Sequence, residues 1–278
     1  MYKSWYNILN TNLCLETPFK KINDFCDYMW QEFPCDNTSS SEMVIKVVPC
    51  VNKKDHFSVF KGSNIAIDWG KELTEVSYSI LSKALENIVS GYALNQIDKK
   101  NLITLHSGAV CRNNNGILIL GESGNGKSTL TLELVANHNW DYLTDEVGLL
   151  DPDHVIHPFL KTISYKRECI VNIHKTWETQ KFGIDHQMAV PKKKHGKSTP
   201  LKAIFFVKYN PDKKPAIIPV KKSEALVRLM NSQIGRAKYV ATLEQMAEVV
   251  KKVNAFQLFH NNARNAAGLI TNLIDSIK

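Results

Sequence analysis

The chain has 278 residues, 44% of them apolar, and a formal net charge of +8. That length and apolar share suffice for one large domain or two small ones with a proper core. Its six cysteines, at positions 14, 26, 35, 50, 111 and 169, form no C-x-x-C pair and sit in no histidine pattern, so neither a zinc site nor a disulfide framework is indicated.

The N-terminus, Met1-Tyr2-Lys3-Ser4-Trp5-Tyr6, lacks the apolar core of a signal peptide. No uninterrupted apolar segment approaches the ~20 residues that span a bilayer, so a soluble cytoplasmic protein is expected. Residues 1–98 read as a small α+β region. Met43–Val48, His56–Phe60 and Asn64–Trp69 are β-branched, aromatic or alternating runs separated by turn chemistry. Val76, Ile80, Leu81, Leu85, Ile88, Val89 and Tyr92 then recur at helical spacing, predicting an amphipathic helix over about 74–96.

A second region is expected over 99–278. Leu102–Leu105, Ala109–Cys111 and Gly116–Leu120 read as strands, the last two joined by an asparagine-rich hairpin turn. Tyr142–Thr144 and Val147–Leu150 read as short strands, and 185–200, polar and basic, as a mobile loop. Leu201–Val207 and Ala216–Val220 are further strand candidates, and 223–232, 242–253 and 261–277 read as helices.

The most informative segment lies between Leu120 and Thr129. Gly121-Glu122-Ser123-Gly124-Asn125-Gly126-Lys127-Ser128 fits the G-x-x-x-x-G-K-[ST] pattern. Its glycines let successive backbone N–H groups turn toward an anion. Lys127 adds a mobile positive charge at the β- and γ-phosphates, the Ser128 hydroxyl ligates Mg²⁺, and the helix starting near Thr129 favours negative charge at its N-terminus. The apolar run before the loop and the helix formers after it supply the strand and helix that the pattern requires.

Asp145-Glu146 follows a predicted strand 18 residues beyond Lys127. Acids at that place can hold Mg²⁺ or take a proton from an attacking hydroxyl, and they can equally be two solvated acids of a surface turn. His106, just before the strand hairpin, reads as a residue at the same sheet edge or as a structural histidine. The excess positive charge, including Lys166, Arg167 and Lys192-Lys193-Lys194, suits acidic partners and solubility alike.

Leu105-His106-Ser107-Gly108-Ala109-Val110, Gly116–Leu120, Gly121–Ser128 and Leu143-Thr144-Asp145-Glu146 together resemble the catalytic domain of HPr serine kinase/phosphorylase. The resemblance covers roughly 100–275, with its strong motifs at 105–146. The chain has Ser128-Thr129 where those enzymes usually have Ser-Glu, and Asp145-Glu146 where they usually have Asp-Asp. It also lacks their glycine-rich signature after the acidic pair. In these respects it is similar to the HPr-kinase-like enzymes of peptide natural-product clusters, which include kinases of lasso-peptide precursors. The resemblance implies an α/β mixed sheet of the phosphoenolpyruvate-carboxykinase type. It also implies ATP or another nucleoside triphosphate on Gly121–Thr129, Lys127 at the phosphates, Asp145 as base, Ser128 and Glu146 at the metal, and His106 nearby.

The expectation is thus an Mg²⁺-dependent kinase acting on a serine hydroxyl of a peptide or protein. A small-molecule kinase and a nucleotide-binding regulatory module without transfer stand as alternatives. Despite the charge, no module with interleaved aromatics reads as nucleic-acid-binding. The oligomeric state stays open, a homo-oligomer included.

Overall fold

The computed structural model describes residues 1–8, 11–35, 43–49, 64–69, 102–166, 177–182, 186–191, 195–234 and 239–277. It divides into two compact units, Met1–Ile97 with Lys181–Met188 and Asp98–Gln180 with Ala189–Lys278. The expected strand at 56–60 and helix at 74–96 lie outside the described residues. Among those residues no helix is long and apolar enough to cross a membrane.

The first unit is built on a four-stranded sheet of β1 (Tyr2–Ile8), β2 (Thr11–Thr17), β3 (Met43–Pro49) and β4 (Asn64–Trp69), in that order. β1 and β2 are antiparallel, whereas β2–β3 and β3–β4 run parallel. Helix α1 (Lys20–Met29) buries Ile22, Phe25, Cys26 and Met29, an i, i+3, i+4, i+7 stripe. Trp30 follows it and meets Tyr6 of β1 edge-to-face at 5.1 Å, and the Tyr6 hydroxyl donates to Asp27.

The second unit is a mixed α/β structure. β5 (Ile103–Leu105) and β6 (Ser107–Arg112) lead into β7 (Asn115–Leu120). Helix α2 (Lys127–Asn137) and β8 (Asp141–Thr144) follow. Next come β9 (Gly148–Leu150), β10 (Val155–His157) and β11 (Ile163–Lys166); the chain then runs through β12 (Trp177–Phe182) and β13 (His186–Pro191), of which Lys181–Met188 belongs to the first unit. β14 (Thr199–Tyr209), β15 (Ala216–Pro219), α3 (Lys222–Asn231), α4 (Tyr239–Lys252), β16 (Asn254–His260) and α5 (Ala263–Ser276) complete it.

The β6–β7 hairpin closes through Asn113 and Asn114, both at positive φ (50° and 62°), the conformation that a tight two-residue turn demands and asparagine tolerates. β14 lies at the centre. It pairs in parallel with β7 on one side; on the other it pairs first with β10, antiparallel, and then with β16, parallel. β6 lies antiparallel between β7 and β8, so those two run in the same direction.

Side chains alternate across this sheet. Ile117, Ile119, Ala203 and Phe205 point into one core, which α2 and α5 cover with Leu130, Leu134, Ala267 and Ile270. Leu118, Leu120, Ile204 and Phe206 point into the other, covered by Leu229 of α3 and by Met246 and Val249 of α4. With both faces covered, the central strands read as nearly continuous apolar runs.

Within the segment 185–200, expected as a mobile loop, the described residues 186–191 and 195–200 are more ordered than their polarity suggests. His186–Pro191 forms β13, His195 bridges to Tyr142, and the Gly196 N–H donates to the Tyr142 carbonyl at 2.8 Å. Ala189 inside β13 is fully buried and belongs to the core that α2 and α5 cover.

Candidate functional site

The sheet topology brings the motif residues to one edge. Because β6 is antiparallel to both its neighbours, Ser107 at its start pairs with Leu120 at the end of β7, and Ala109 pairs with Thr144 at the end of β8. His106, Gly121 and Asp145 therefore leave the sheet on the same side. Tyr209 and His260 pair with each other at the ends of the parallel β14 and β16, at this same edge. Carboxyl ends of parallel strands are where open α/β sheets present ligand-binding loops.

The loop from Gly121 to Gly126 turns by glycine geometry. Gly124 and Gly126 have φ of 85° and 84°, left-handed values that side chains other than glycine's rarely adopt. At its base a Cβ on Gly121 would stand 2.7 Å from the Val207 carbonyl oxygen, so only glycine lets β7 leave the sheet beside β14. Lys127 and Ser128 open α2, with Thr129 in its first turn. Glu122, Ser123 and Gly124 are exposed, while Lys127 is buried.

The Lys127 ammonium folds back into the loop, donating to the carbonyls of Gly121 at 2.7 Å and Glu122 at 3.2 Å. Burial pulls its pKa below the ordinary lysine value, and the negative charges of Asp145 and Glu146 oppose that shift. Mutual influence of this kind places the three charges within one electrostatic neighbourhood.

Asp145 is the most unusual group of the site. It is 1% exposed, and neither carboxylate oxygen makes a fully formed hydrogen bond among the described residues, although the Ser128 hydroxyl interacts with it. Its pKa rises to about 6, chiefly because burial penalises the charge and further because Glu146 repels it. Lys161, the Ser128 hydroxyl and Lys127 pull it partly back. Close packing holds the acid in place: a Cβ on Gly108 would overlap Thr131 Oγ1 and approach Asp145 Oδ1 to 3.4 Å. Thr144 steadies the turn beneath it by donating to the Val147 carbonyl at 2.9 Å.

Glu146 takes a left-handed backbone, φ 71°. Its carboxylate is half-exposed and pairs with the buried Lys161 ammonium at 3.0 Å. His106 is half-buried; its backbone N–H donates to the Ser232 carbonyl at 2.7 Å. Burial and the nearby Lys127 charge lower its pKa, so the ring is neutral near pH 7. It lines an open cavity of about 510 Å³ together with Gly121, Glu122, Asn125 and Arg228.

The sheet edge thus assembles His106, the glycine loop, Lys127, Ser128 and the Asp145-Glu146 turn. Lys166 ends β11, whereas Arg167 and Lys192–Lys194 lie outside the described residues. Two further residues belong to the neighbourhood. Lys161 is the one charged residue in the largely apolar Phe159-Leu160-Lys161-Thr162-Ile163, and its burial among such neighbours calls for an acidic partner. His260 ends a run of strand formers, a position that the topology moves to the ligand edge. Among the described residues no group of three or more His, Cys, Asp or Glu side chains is arranged to hold a metal by itself.

No family model and no curated protein matches the chain. Among solved structures it is similar to the HPr(Ser) kinase/phosphatase from Coxiella burnetii at 15% identity and a TM-score of 0.31. That match covers 62% of this chain and 93% of that one. So distant a likeness carries no weight for activity, which has to be read from the residues.

Proposed function

We propose that the chain is an Mg²⁺-dependent kinase of the HPr-kinase-like type. It would transfer the terminal phosphoryl group of ATP, or of another nucleoside triphosphate, to a serine hydroxyl of a peptide or protein. The C-terminal serine of a lasso-peptide precursor is the specific acceptor we put forward. The observation that carries this reading is the pairing of a glycine loop with Asp145, a buried carboxylate that makes no fully formed hydrogen bond among the described residues and has a pKa of about 6. A surface turn would leave such an acid solvated, and a purely structural one would give its oxygens donors.

In this reading the glycine-loop amides and Lys127 hold the β- and γ-phosphates; Lys127 exchanges its carbonyl contacts at Gly121 and Glu122 for phosphate oxygens. The acceptor oxygen forms a bond to the terminal phosphorus while the bond to the bridging oxygen breaks, its electron pair leaving with the nucleoside diphosphate. The hydroxyl proton passes to Asp145, whose pKa near 6 makes it ionised at neutral pH and more basic than a solvated carboxylate. Lys161 neutralises Glu146 on the outer side of the turn. His106, neutral, can hydrogen-bond a phosphate or acceptor oxygen without bringing a second positive charge beside Lys127.

The oxygen-rich pair of Ser128 and Asp145, with Glu146 adjoining, fits a hard divalent cation, and the open oxygens of Asp145 are a place that such an ion would satisfy. Mg²⁺ commonly uses one or two carboxylates plus substrate phosphates and water. Ser128 and Glu146 would hold it beside Asp145, and when bound it supplies charge neutralisation on the phosphates.

The test is incubation of the purified chain with Mg²⁺ and ATP or GTP against serine-bearing candidate peptides and free hydroxylated metabolites, read by mass spectrometry. A gain of one phosphate on a peptide serine supports the reading. Phosphorylation of a metabolite alone points to a small-molecule kinase. Tight nucleotide binding with no phosphorylated product of any acceptor leaves a regulatory module and overturns the kinase assignment.

A further inference from the structure

His260 stands outside every motif discussed above, yet it touches the centre of the glycine loop. It ends β16 and is 2% exposed, with its backbone carbonyl accepting from the Asn210 N–H at 2.7 Å. Its Nε2 lies 3.0 Å from the Asn125 carbonyl oxygen. A carbonyl only accepts, so the ring carries its proton on Nε2 and donates. Nδ1 is then a bare acceptor, buried and without a partner among the described residues. An unmet buried acceptor is costly, of the order of 1 kcal/mol or more, and a ring retained on those terms calls for a purpose.

The neighbouring contacts share one target. The Tyr209 N–H donates to Asn125 Oδ1 at 3.3 Å, and the Tyr209 ring meets the imidazole edge-on at 5.6 Å. A Cβ on Gly126 would come within 3.0 Å of His260 Cε1 and 3.3 Å of Nε2, so the loop backbone rests directly on the ring. Asn125 is therefore gripped twice: its side chain by the end of β14, its carbonyl by the end of β16.

We infer that His260 is a positioning residue for the glycine loop, fixing the Asn125–Gly126 peptide so that the Gly126 N–H faces the anion. The step follows from peptide geometry. In a planar trans peptide the C=O and the next N–H point in opposite directions. Holding the Asn125 carbonyl toward β16 turns the Gly126 N–H away from β16, to the other side of the loop. A loop rich in glycine has little of its own to prevent that peptide from flipping; a flipped peptide would aim a carbonyl oxygen at the phosphates. The inference rests on the loop being a phosphate cradle, as proposed above.

The test compares His260→Gln, His260→Asn and His260→Leu with the wild-type chain, measuring Mg²⁺–ATP and Mg²⁺–GTP affinity by calorimetry and thermal stability alongside. Glutamine places its amide nitrogen near the position of Nε2, whereas asparagine stops short. Affinity should stay within about threefold of wild type in His260→Gln and fall about tenfold or more in His260→Asn and His260→Leu, for a lost hydrogen bond plus a freed peptide. Should the leucine variant fail to fold, the Gln/Asn pair, both polar amides, decides the matter. Equal affinity in those two, or a loss in His260→Gln as large as in His260→Asn, overturns the inference and leaves the kinase reading intact. A wild-type chain that binds neither nucleotide overturns the phosphate cradle itself, and the positioning role with it.

Discussion

Replacing Asp145 by asparagine should abolish phosphoryl transfer and at the same time stabilise the protein. The carboxylate is buried and makes no fully formed hydrogen bond among the described residues, and its pKa of about 6 stands some two units above that of an unfolded aspartate. At ~1.4 kcal/mol per unit, ionisation costs the folded state about 3 kcal/mol once the pH exceeds about 7. The sign follows from proton counting. Between about pH 4 and pH 6 the folded chain binds more protons than the unfolded one, so stability falls as pH rises through that window, and below it the cost vanishes. Asparagine removes the charge but leaves an amide in the same place, which takes back about 1–2 kcal/mol. The net gain at pH 8 is therefore about 1–2 kcal/mol, several degrees in melting temperature for a unit of this size. Thermal unfolding of wild type and Asp145→Asn at pH 8 and pH 5, with chelator present, measures it directly. The advantage of the variant should be largest at pH 8 and shrink by about 1 kcal/mol or more at pH 5. A variant less stable than wild type at both values, or a difference indifferent to pH, would show that the carboxylate is already paired and refute the argument.

Lys127→Ala should lower the rate of transfer by at least a hundredfold while circular dichroism stays native, because among the described residues the ammonium hydrogen-bonds two loop carbonyls rather than the core. Gly108→Ala forces a methyl group into Thr131 Oγ1 within a closed layer and should cost about 1–3 kcal/mol in denaturant titration; the double variant with Thr131→Ala should recover part of it. Glu146→Gln removes the repulsion that helps raise the Asp145 pKa, so the acid limb of the kcat/KM profile should move to lower pH by a fraction of a unit. A limb that stays in place or moves upward would separate Glu146 from the base.

What could be read from the chain depended on how local the determinant was. The strand, glycine loop and helix over 115–137 are contiguous, and each residue type there answers to its own backbone need, so they stood out without the fold. The hairpin before them declared itself through three consecutive asparagines. The burial of Asp145, by contrast, depends on Gly108 and Thr131 meeting across β6 and α2, and no short window contains both. His260 lies 135 residues from Asn125 and joins it only through the parallel pairing of β14 with β16. In the first unit, β2 carries Leu13-Cys14-Leu15, buried on both faces, and so lacks the alternation that marks a half-exposed strand. The stripe of Ile22, Phe25, Cys26 and Met29 in α1 is diluted by the intervening Asn23, Asp24 and Asp27.

The central place of β14 has a bearing on how the protein comes into being. Its partners on either flank, β7 and β16, are separated from it by long stretches of chain, and pairings of that span are slow to form because so much chain freedom is surrendered before any contact is gained. During synthesis the glycine loop leaves the ribosome early, but the strand ends that brace it arrive only with Tyr209 and then His260. A growing chain halted before Asn254 would carry the whole glycine loop without the β16 end that braces it. The bracing of the glycine loop is accordingly complete only when the second unit is almost entirely translated.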